Sequence, residues 1–408
     1  MTTAILFVFF VVYVGMVLGG LPFLQLDRTG VALLGAIALI SVNALSLEEA
    51  ARAVHLPTLI LLFAFMVVSA QMRLGGFYDW VTRQLAALEL PPALLLGAMI
   101  VAIAALASVF SNDIICLAVA PVLIDACRRR GLNPVPYLLA LACAANIGSA
   151  ATLIGNPQNI LIGQKLHLSF VGYAAYAIAP VSMGLAACWL LIAWQSRGRW
   201  NSAVEAPASD PDEVPLNRWQ TAKGLAVVTA IVLAFVFTSW PREHVALAGA
   251  GILLTSRKLH SRKMLGLVDW ELLILFIGLF VVNHALERTE VLPHIVDDLA
   301  AAGLSLDRIG GLFGITFVLS NIVSNVPAVM LLLPVANHPE AGPVLALAST
   351  LSGNLFIVGS IANIIVIDAA LRSGIRIDWR QHARTGVPVT IATLAICAAY
   401  LWLRASVS

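Results

Sequence analysis

Long apolar runs and short polar breaks alternate along this chain, and the runs recur at a nearly constant length. Apolar blocks fall at about 4–24, 30–47, 57–74, 92–127, 134–166 and 169–195. They resume at about 220–240, 244–256, 270–287, 309–336, 344–370 and 387–403. Most match the roughly 20 residues that carry a helix across a bilayer core. The stretch between the two sets, RGRWNSAVEAPASDPDEVPLNRW (197–219), is rich in Pro, Ser and acids and reads as a linker. Two further segments, YDWVTRQLAALEL (78–90) and VLPHIVDDLAAAGL (291–304), mix charge with apolar residues at helical spacing. Each predicts a helix lying at the membrane interface.

The two sets align with one another. With Ser111-Asn112 placed on Ser324-Asn325, the prolines Pro121 and Pro334 coincide. The next blocks both begin LALA, at 139–142 and 345–348, and both reach a Gly-x-x-x-Asn, Gly155 to Asn159 and Gly359 to Asn363. The third blocks correspond as well, LPTLILLFAFMVV against WELLILFIGLFVV. An ordered set of matches of this kind predicts an internal duplication.

The fourth block of each set, 92–127 and 309–336, carries polar residues at its middle. As one helix the first would be about 54 Å long, well beyond a core of about 30 Å. Basic residues choose between a crossing and a hairpin, because cytoplasmic loops are enriched in Lys and Arg. If both blocks cross, the 24 basic residues divide 11 to 13. If both are re-entrant, one side holds only Arg52, Lys165, Arg242, Arg288, Arg308 and Arg404, and the other 18 of the 24 lie opposite. The asymmetry selects the hairpins. Each half then crosses five times, so the second is inverted relative to the first, with the linker in the cytoplasm and both termini outside. The expected fold is an all-α polytopic membrane protein of two inverted repeats, each of five crossings plus one re-entrant helical hairpin, the architecture of secondary transporters.

Composition sharpens this picture by exclusion. Of 408 residues 60% are apolar and 11% charged, with mean hydropathy +0.93, against about 25% charged in soluble domains. A net charge of +2 spread over loops gives no reason to expect nucleic acid. The five cysteines are scattered without a CxxC pair, so neither a disulfide framework nor a zinc site is indicated. The first run, starting near Met1 without a basic n-region, reads as a retained span rather than a signal peptide.

Four polar breaks at mid-membrane carry the candidate chemistry: Ser111-Asn112-Asp113, Gly155-Asn156-Pro157-Gln158-Asn159, Ser324-Asn325-Val326-Pro327, and the run from Ser352 to Asn363. Open backbone at that depth must line a cavity or bind something. Carbonyl and amide oxygens suit sodium, while helix N-termini aimed at one point suit an anion. The expected substrate- and ion-binding residues are Ser111, Asn112, Asp113, Asn146, Thr152, Gly155, Asn156, Asn159, Ser324, Asn325, Val326, Asn354, Gly359 and Asn363. A sodium ion would sit near Asn112, Asp113, Gly155, Asn325 and Gly359. Helix packing competes as an explanation for any one break, and helix capping for Asp113. Four breaks in two symmetry-related pairs favour a site, and an acid in apolar surroundings is costly and usually functional. Asp125 and Asp368 read as surface partners of nearby arginines, and His284 with Glu287 as a solvated helix end. No nucleotide-binding loop and no catalytic constellation appears, so neither an enzyme nor an ATP-driven pump is expected.

At these breaks the sequence resembles the ion transporter superfamily, particularly the ArsB/NhaD-type permeases and, within them, the YbiR-like anion permeases. The residues that carry the resemblance are SND at 111–113, ANIGSAATLIGNPQN from Ala145 to Asn159, SNVPAVMLLLP from Ser324 to Pro334, and GSIAN at 359–363. With the matching order of spans it covers essentially the whole chain. The related dicarboxylate/sodium symporters carry Ser-Asn-Thr at both hairpin tips; here the third position is Asp113 in one and Val326 in the other. The resemblance implies a homodimer in a bacterial inner membrane. The internal alignment sets the expected repeats at 1–195 and 220–408 around a linker at 196–219; for these the resemblance implies a division of labour. Residues 1–91 and 220–308 would form the scaffold, and 92–195 and 309–408 a transport domain moving as an elevator. The expected function is secondary transport of a small inorganic or organic anion, with Na+ or H+ as coupling ion and no other cofactor. The alternatives are a sodium/proton antiporter of the NhaD kind, an arsenite-type efflux permease, and a channel.

Overall fold

The computed structural model describes residues 1–21, 24–201, 215–289 and 291–407; linker residues 202–214 lie outside the described residues, as does Ser408. The chain is helical almost throughout. The first half runs α1 (Thr2–Leu18), α2 (Arg28–Ser41), α3 (Leu47–Ala53), α4 (Leu56–Leu74), α5 (Phe77–Ala86), α6 (Pro92–Val109), α7 (Asn112–Arg129), α8 (Pro134–Ser149), α9 (Pro157–Lys165) and α10 (Phe170–Gln195). The second runs α11 (Arg218–Phe237), α12 (Arg242–Leu254), α13 (Ser261–Leu265), α14 (Trp270–Glu287), α15 (Val291–Ala301), α16 (Ile309–Val323), α17 (Asn325–Leu332), α18 (Ala341–Ser352), α19 (Ile361–Arg372) and α20 (Trp379–Val407). Long and short helices therefore follow one another in the same order in both halves.

Local sequence sets most of these boundaries. Asp27, Ser46, Asn133, Ser169, Asn217 and Asp269 each accept a hydrogen bond from a first-turn amide of the helix they precede, satisfying a donor that would otherwise be orphaned. Pro92, Pro134 and Pro157 stand in first turns, where the missing N–H costs nothing. Among the described residues six helices, α4, α6, α10, α11, α14 and α20, are long and apolar enough to cross a membrane. Shorter apolar helices, among them α1, α2, α8, α16 and α18, accompany them. This is a multi-pass membrane protein.

Four features go beyond the spans expected from sequence. Short helices α3 and α13 precede α4 and α14, and two-residue strands, β1 (Gly20–Leu21) and β2 (Leu26–Asp27), pair antiparallel between α1 and α2. Helix α20 starts at Trp379 rather than near 387, because its charged first turns continue the apolar helix without a break. Helix α17 gives way to a 3-10 turn, Leu333–Val335, at Pro334. Packing is exchanged between halves: α2 lies against α14, α4 against α12, and α10 against α20, while α6 pairs with α8 and α16 with α18. The end of α7 returns to where α6 began. There Arg130 donates to the carbonyls of Ala86 at 2.8 Å, Leu88 at 2.9 Å and Leu90 at 3.4 Å, just ahead of Pro92.

Candidate functional site

Two broken helices and two helical turns meet in the interior. The first break separates α8 from α9, the second α18 from α19, and the turns join α6 to α7 and α16 to α17. Each break is held by one asparagine. Asn159 donates its amide to the carbonyls of Thr152 at 2.9 Å and Ser149 at 3.5 Å. Asn363 does the same to Phe356 at 3.0 Å and Gly353 at 2.8 Å. The spacing is identical in the two halves. Buried carbonyls freed by the breaks thus find partners, as a membrane interior requires. Gly155 folds so tightly onto the end of α8 that a Cβ there would stand 2.2 Å from the Ser149 carbonyl oxygen, which only glycine allows. At Gly359 a Cβ would meet the Gly353 carbonyl oxygen at 3.1 Å.

Asn146, buried on α8, joins the halves. Its Oδ1 accepts from Asn112 Nδ2 at 3.0 Å and Ser360 Oγ at 2.9 Å, and its Nδ2 donates to Asn354 Oδ1 at 2.8 Å and Asn363 Oδ1 at 3.3 Å. Four bonds exhaust the amide's capacity. The network continues through Ser149 Oγ, which donates to the Asn146 carbonyl at 2.8 Å and accepts from Asn156 at 3.0 Å. Asn156 and Gln158 both donate to Thr350 Oγ1 at 3.2 Å, and Thr350 donates to Asn159 Oδ1 at 3.5 Å. Thr152 donates to the Ser108 carbonyl at the end of α6.

Of the asparagines expected to bind substrate or ion, Asn112 and Asn363 share Asn146, and Asn159 belongs to the adjoining part of the network. Asn325 makes no hydrogen bond into it and lies against Gly353. The first turn rests on the first break through the Asn112 amide and the Gly155 carbonyl at 3.3 Å. Ser111 and Ser324 precede α7 and α17 without a side-chain cap bond, and Val326 is buried. Four oxygens at the turns, Asn112 Oδ1, Asp113 Oδ1, Asn321 Oδ1 and Asn325 Oδ1, are buried without a hydrogen-bond partner. Buried acceptors left in this state are costly, and a set of acceptor-only oxygens is what a hard cation takes up. Asp125 pairs with Arg129 and Asp368 with Arg372, both at 2.7 Å, while His284 and Glu287 stand 3.8 Å apart at a solvated end.

Sequence reading missed His382. It is buried on α20 with Nε2 3.2 Å from the Asn354 carbonyl oxygen, and its Nδ1 has no partner. Arg380 and Arg384 beside it make the stretch look like a loop. The hydroxyls of Thr350 and Ser360 were equally hidden, since Ser and Thr are common at any transmembrane interface.

Comparison with known proteins places the chain among transporters. A family model described as citrate transporter (CitMHS) matches residues 4–348. An uncharacterized transporter of Mycobacterium tuberculosis is 31% identical over 372 residues, covering 84% of this chain and 85% of the relative. The inner membrane protein YbiR of Escherichia coli is 31% identical over 332 residues, covering 80% and 82%. The silicon efflux transporter LSI3 of Oryza sativa is 28% identical over 452 residues, covering 92% of each.

Proposed function

The chain belongs to the citrate transporter family, an ArsB/NhaD-type branch of the ion transporter superfamily, and from this premise we propose that it moves a small inorganic or organic anion by secondary active transport coupled to sodium or protons. One observation carries the coupling: the Asp113 carboxylate oxygen and three amide oxygens are buried unpartnered at the two turns, beside a polar network built from both halves. A cation or proton arriving there satisfies them. The amides at the starts of α7, α9, α17 and α19 supply donors for an anion. A loaded site is closer to neutral than an empty one, and an unpaired buried charge is expensive to carry. Only the loaded carrier then moves.

The architecture that suits this is the pair of inverted repeats with re-entrant hairpins, α6–α7 and α16–α17, in a transport domain that alternates as an elevator within a homodimer. The exchanged packing of α2 with α14 and α4 with α12 supports the pseudo-symmetry. The return of Arg130 to the start of α6 supports the hairpin. The lone carboxylate also favours a second reading, sodium/proton antiport, in which Asp113 exchanges a proton for sodium. A relative named as an ArsB transporter (22% identical over 491 residues) keeps arsenite-type efflux as an outcome to be measured.

The test is flux in proteoliposomes under imposed sodium and proton gradients, with citrate, phosphate, arsenite and silicic acid as probes. Accumulation of an anion above equilibrium in one of the two ion gradients is expected. Sodium/proton exchange without anion movement would replace the first reading by the second, and gradient-independent conduction would make the protein a channel. Cysteine labelling at Arg129 and Ser408 should proceed from opposite sides; labelling from the same side would sink the re-entrant arrangement.

A further inference from the structure

Two clefts lie between the hairpins and the helices that the transport reading treats as scaffold. The first, about 410 Å3, opens between α4–α5 and α7 and is lined by Arg73, Leu117 and Pro121 among others. The second, about 360 Å3, opens between α14, α3, α9 and α17 and is lined by Glu287, Met330 and Pro334. The repeat alignment places Arg73 on Glu287, Leu117 on Met330 and Pro121 on Pro334. The clefts are therefore counterparts, one for each side of an inverted pair.

Their basic groups differ in what they are free to do. In the second cleft Arg52 pairs with Glu48 at 2.5 Å, and Lys165 sits 5.9 Å over the Phe280 ring. In the first, Arg129 pairs with Asp125 at 2.7 Å, Arg130 is spent on the carbonyls ahead of α6, and Asp79 and Arg83 are engaged as well. Arg73 is the exception. It is half-buried in the cleft wall, and among the described residues no hydrogen bond or ion pair holds its guanidinium. A planar cation with five donors, presented to a walled cleft, is suited to a carboxylate or oxyanion. Low-dielectric walls focus its field into the opening.

We propose that the cleft between α4–α5 and α7 is an anion-collecting vestibule on the cytoplasmic side, with Arg73 as the group that selects the sign of charge. This rests on the transport reading for its sidedness and deepens it by assigning the cytoplasmic mouth. The vestibule gathers small anions beside the hairpin whose tip carries Asn112 and Asp113.

The experiment uses the full chain in sealed membrane vesicles of defined orientation, with Leu117→Cys as reporter. The five native cysteines are all buried and serve as background. Negatively and positively charged methanethiosulfonate reagents are applied to the cytoplasmic side, and their rate ratio is compared with that for a free thiol. The anionic reagent should be favoured, Arg73→Gln should lower the ratio about three-fold or more by removing one nearby charge, and Arg73→Lys should keep most of it. Applied in parallel to the outer side, the same reagents should modify Glu287→Cys in the second cleft at an unchanged rate in Arg73→Gln, showing the fold intact. A ratio unaffected by Arg73→Gln, or a Leu117→Cys that reacts only from the outside, would overturn the proposal. Absence of anion flux in the unmodified protein, with the Arg73-dependent ratio present, would fault the transport reading and leave the vestibule standing.

Discussion

The two hairpin tips share a sequence frame and differ in almost every physical respect. At the first, Ser111 is extended, with φ −54° and ψ 131°, and Asn112 is bonded to Asn146 and to the first break. At the second, Ser324 is held at φ 76° and ψ 163° and Asn325 makes no hydrogen bond into the network. The first tip carries the acid Asp113 and the second the neutral Val326. Below the first, α5 is packed on α7 with Tyr78 and Thr82 buried; α15, its counterpart, buries no residue. One tip is relaxed, bonded and acidic, the other strained, unbonded and without an ionisable group. Duplicated helices therefore need not do duplicate work: within the proposed transport function, the difference makes the first tip the candidate for ion coupling and the second the candidate for movement.

The sharpest way to break this assignment is Asp113→Asn. It removes the only carboxylate at either tip while keeping shape, so ion-driven accumulation should collapse. A coupling free energy of about 1–3 kcal/mol corresponds to roughly a five- to 150-fold loss in the accumulation ratio. Uptake against sodium and pH gradients measures it. A mutant with unchanged ion dependence would reduce Asp113 to a helix cap. The converse change, Val326→Asp, should not restore coupling in that background, because the second tip lacks the bonded neighbours of the first.

The asparagines should separate next. Asn112→Ala strips one partner from the fully used Asn146 and should destabilise the protein by about 1–2 kcal/mol. Asn325→Ala loses no bond and should stay within about 0.5 kcal/mol, while impairing transport. Thermal unfolding in detergent, set beside uptake, reads both quantities. Equal destabilisation by the two would erase the contrast between the tips.

Strain gives an effect of opposite sign. Ser324 occupies a region essentially reserved for glycine, at a cost of about 1–3 kcal/mol. Ser324→Gly should raise the unfolding temperature by a few degrees and slow transport, since a relaxed tip has less reason to move. Ser111→Gly, at a position without strain, should lower stability by about 0.5–1 kcal/mol. A destabilising Ser324→Gly would show that the strain is absent in the membrane.

Much of this was legible in the sequence, for reasons particular residues make plain. Polar groups at mid-membrane stand out against an apolar background, so Ser111-Asn112-Asp113 and Gly155 to Asn159 announced their breaks directly. Helix starts at Pro92, Pro134 and Trp270 fell where expected because the capping and first-turn signals are local. Helices α3 and α13 were not seen, since five to seven residues between spans carry too little periodicity. The junction at Asn146 is different again. Its partners Asn354, Ser360 and Asn363 are more than 200 residues away, and only packing of the two halves brings them together. His382 was masked by the arginines around it. Residue types could be read, but not the bonds that decide which asparagine is a staple and which is free.

The smallest contrast lies at the entrances to α4 and α14, where the repeats place His55 opposite Asp269. Asp269 caps its helix through the Leu272 amide at 2.9 Å; His55 makes no cap bond and has its Nδ1 2.8 Å from Thr58 Oγ1. Partial burial, then the charges of Lys165 and His167, hold the His55 imidazole down from its ordinary 6.5 to about 4, with Glu243 acting weakly the other way. The sign follows from proton counting. Between pH 6.5 and 4 the unfolded chain binds a proton that the folded chain does not, so stability present above pH 6.5 is lost as pH falls toward 4. The side chain is only half-buried, so solvent screening trims the loss. His55→Asp supplies the missing cap, worth about 1 kcal/mol, and sets a carboxylate toward Lys165. The variant should unfold at a higher temperature at pH 7 and lose less between pH 7 and pH 5, where its carboxylate remains ionised. Thermal unfolding at these two pH values checks both effects. An unchanged pH dependence would mean that His55 is solvated and that the two entrances differ in sequence alone.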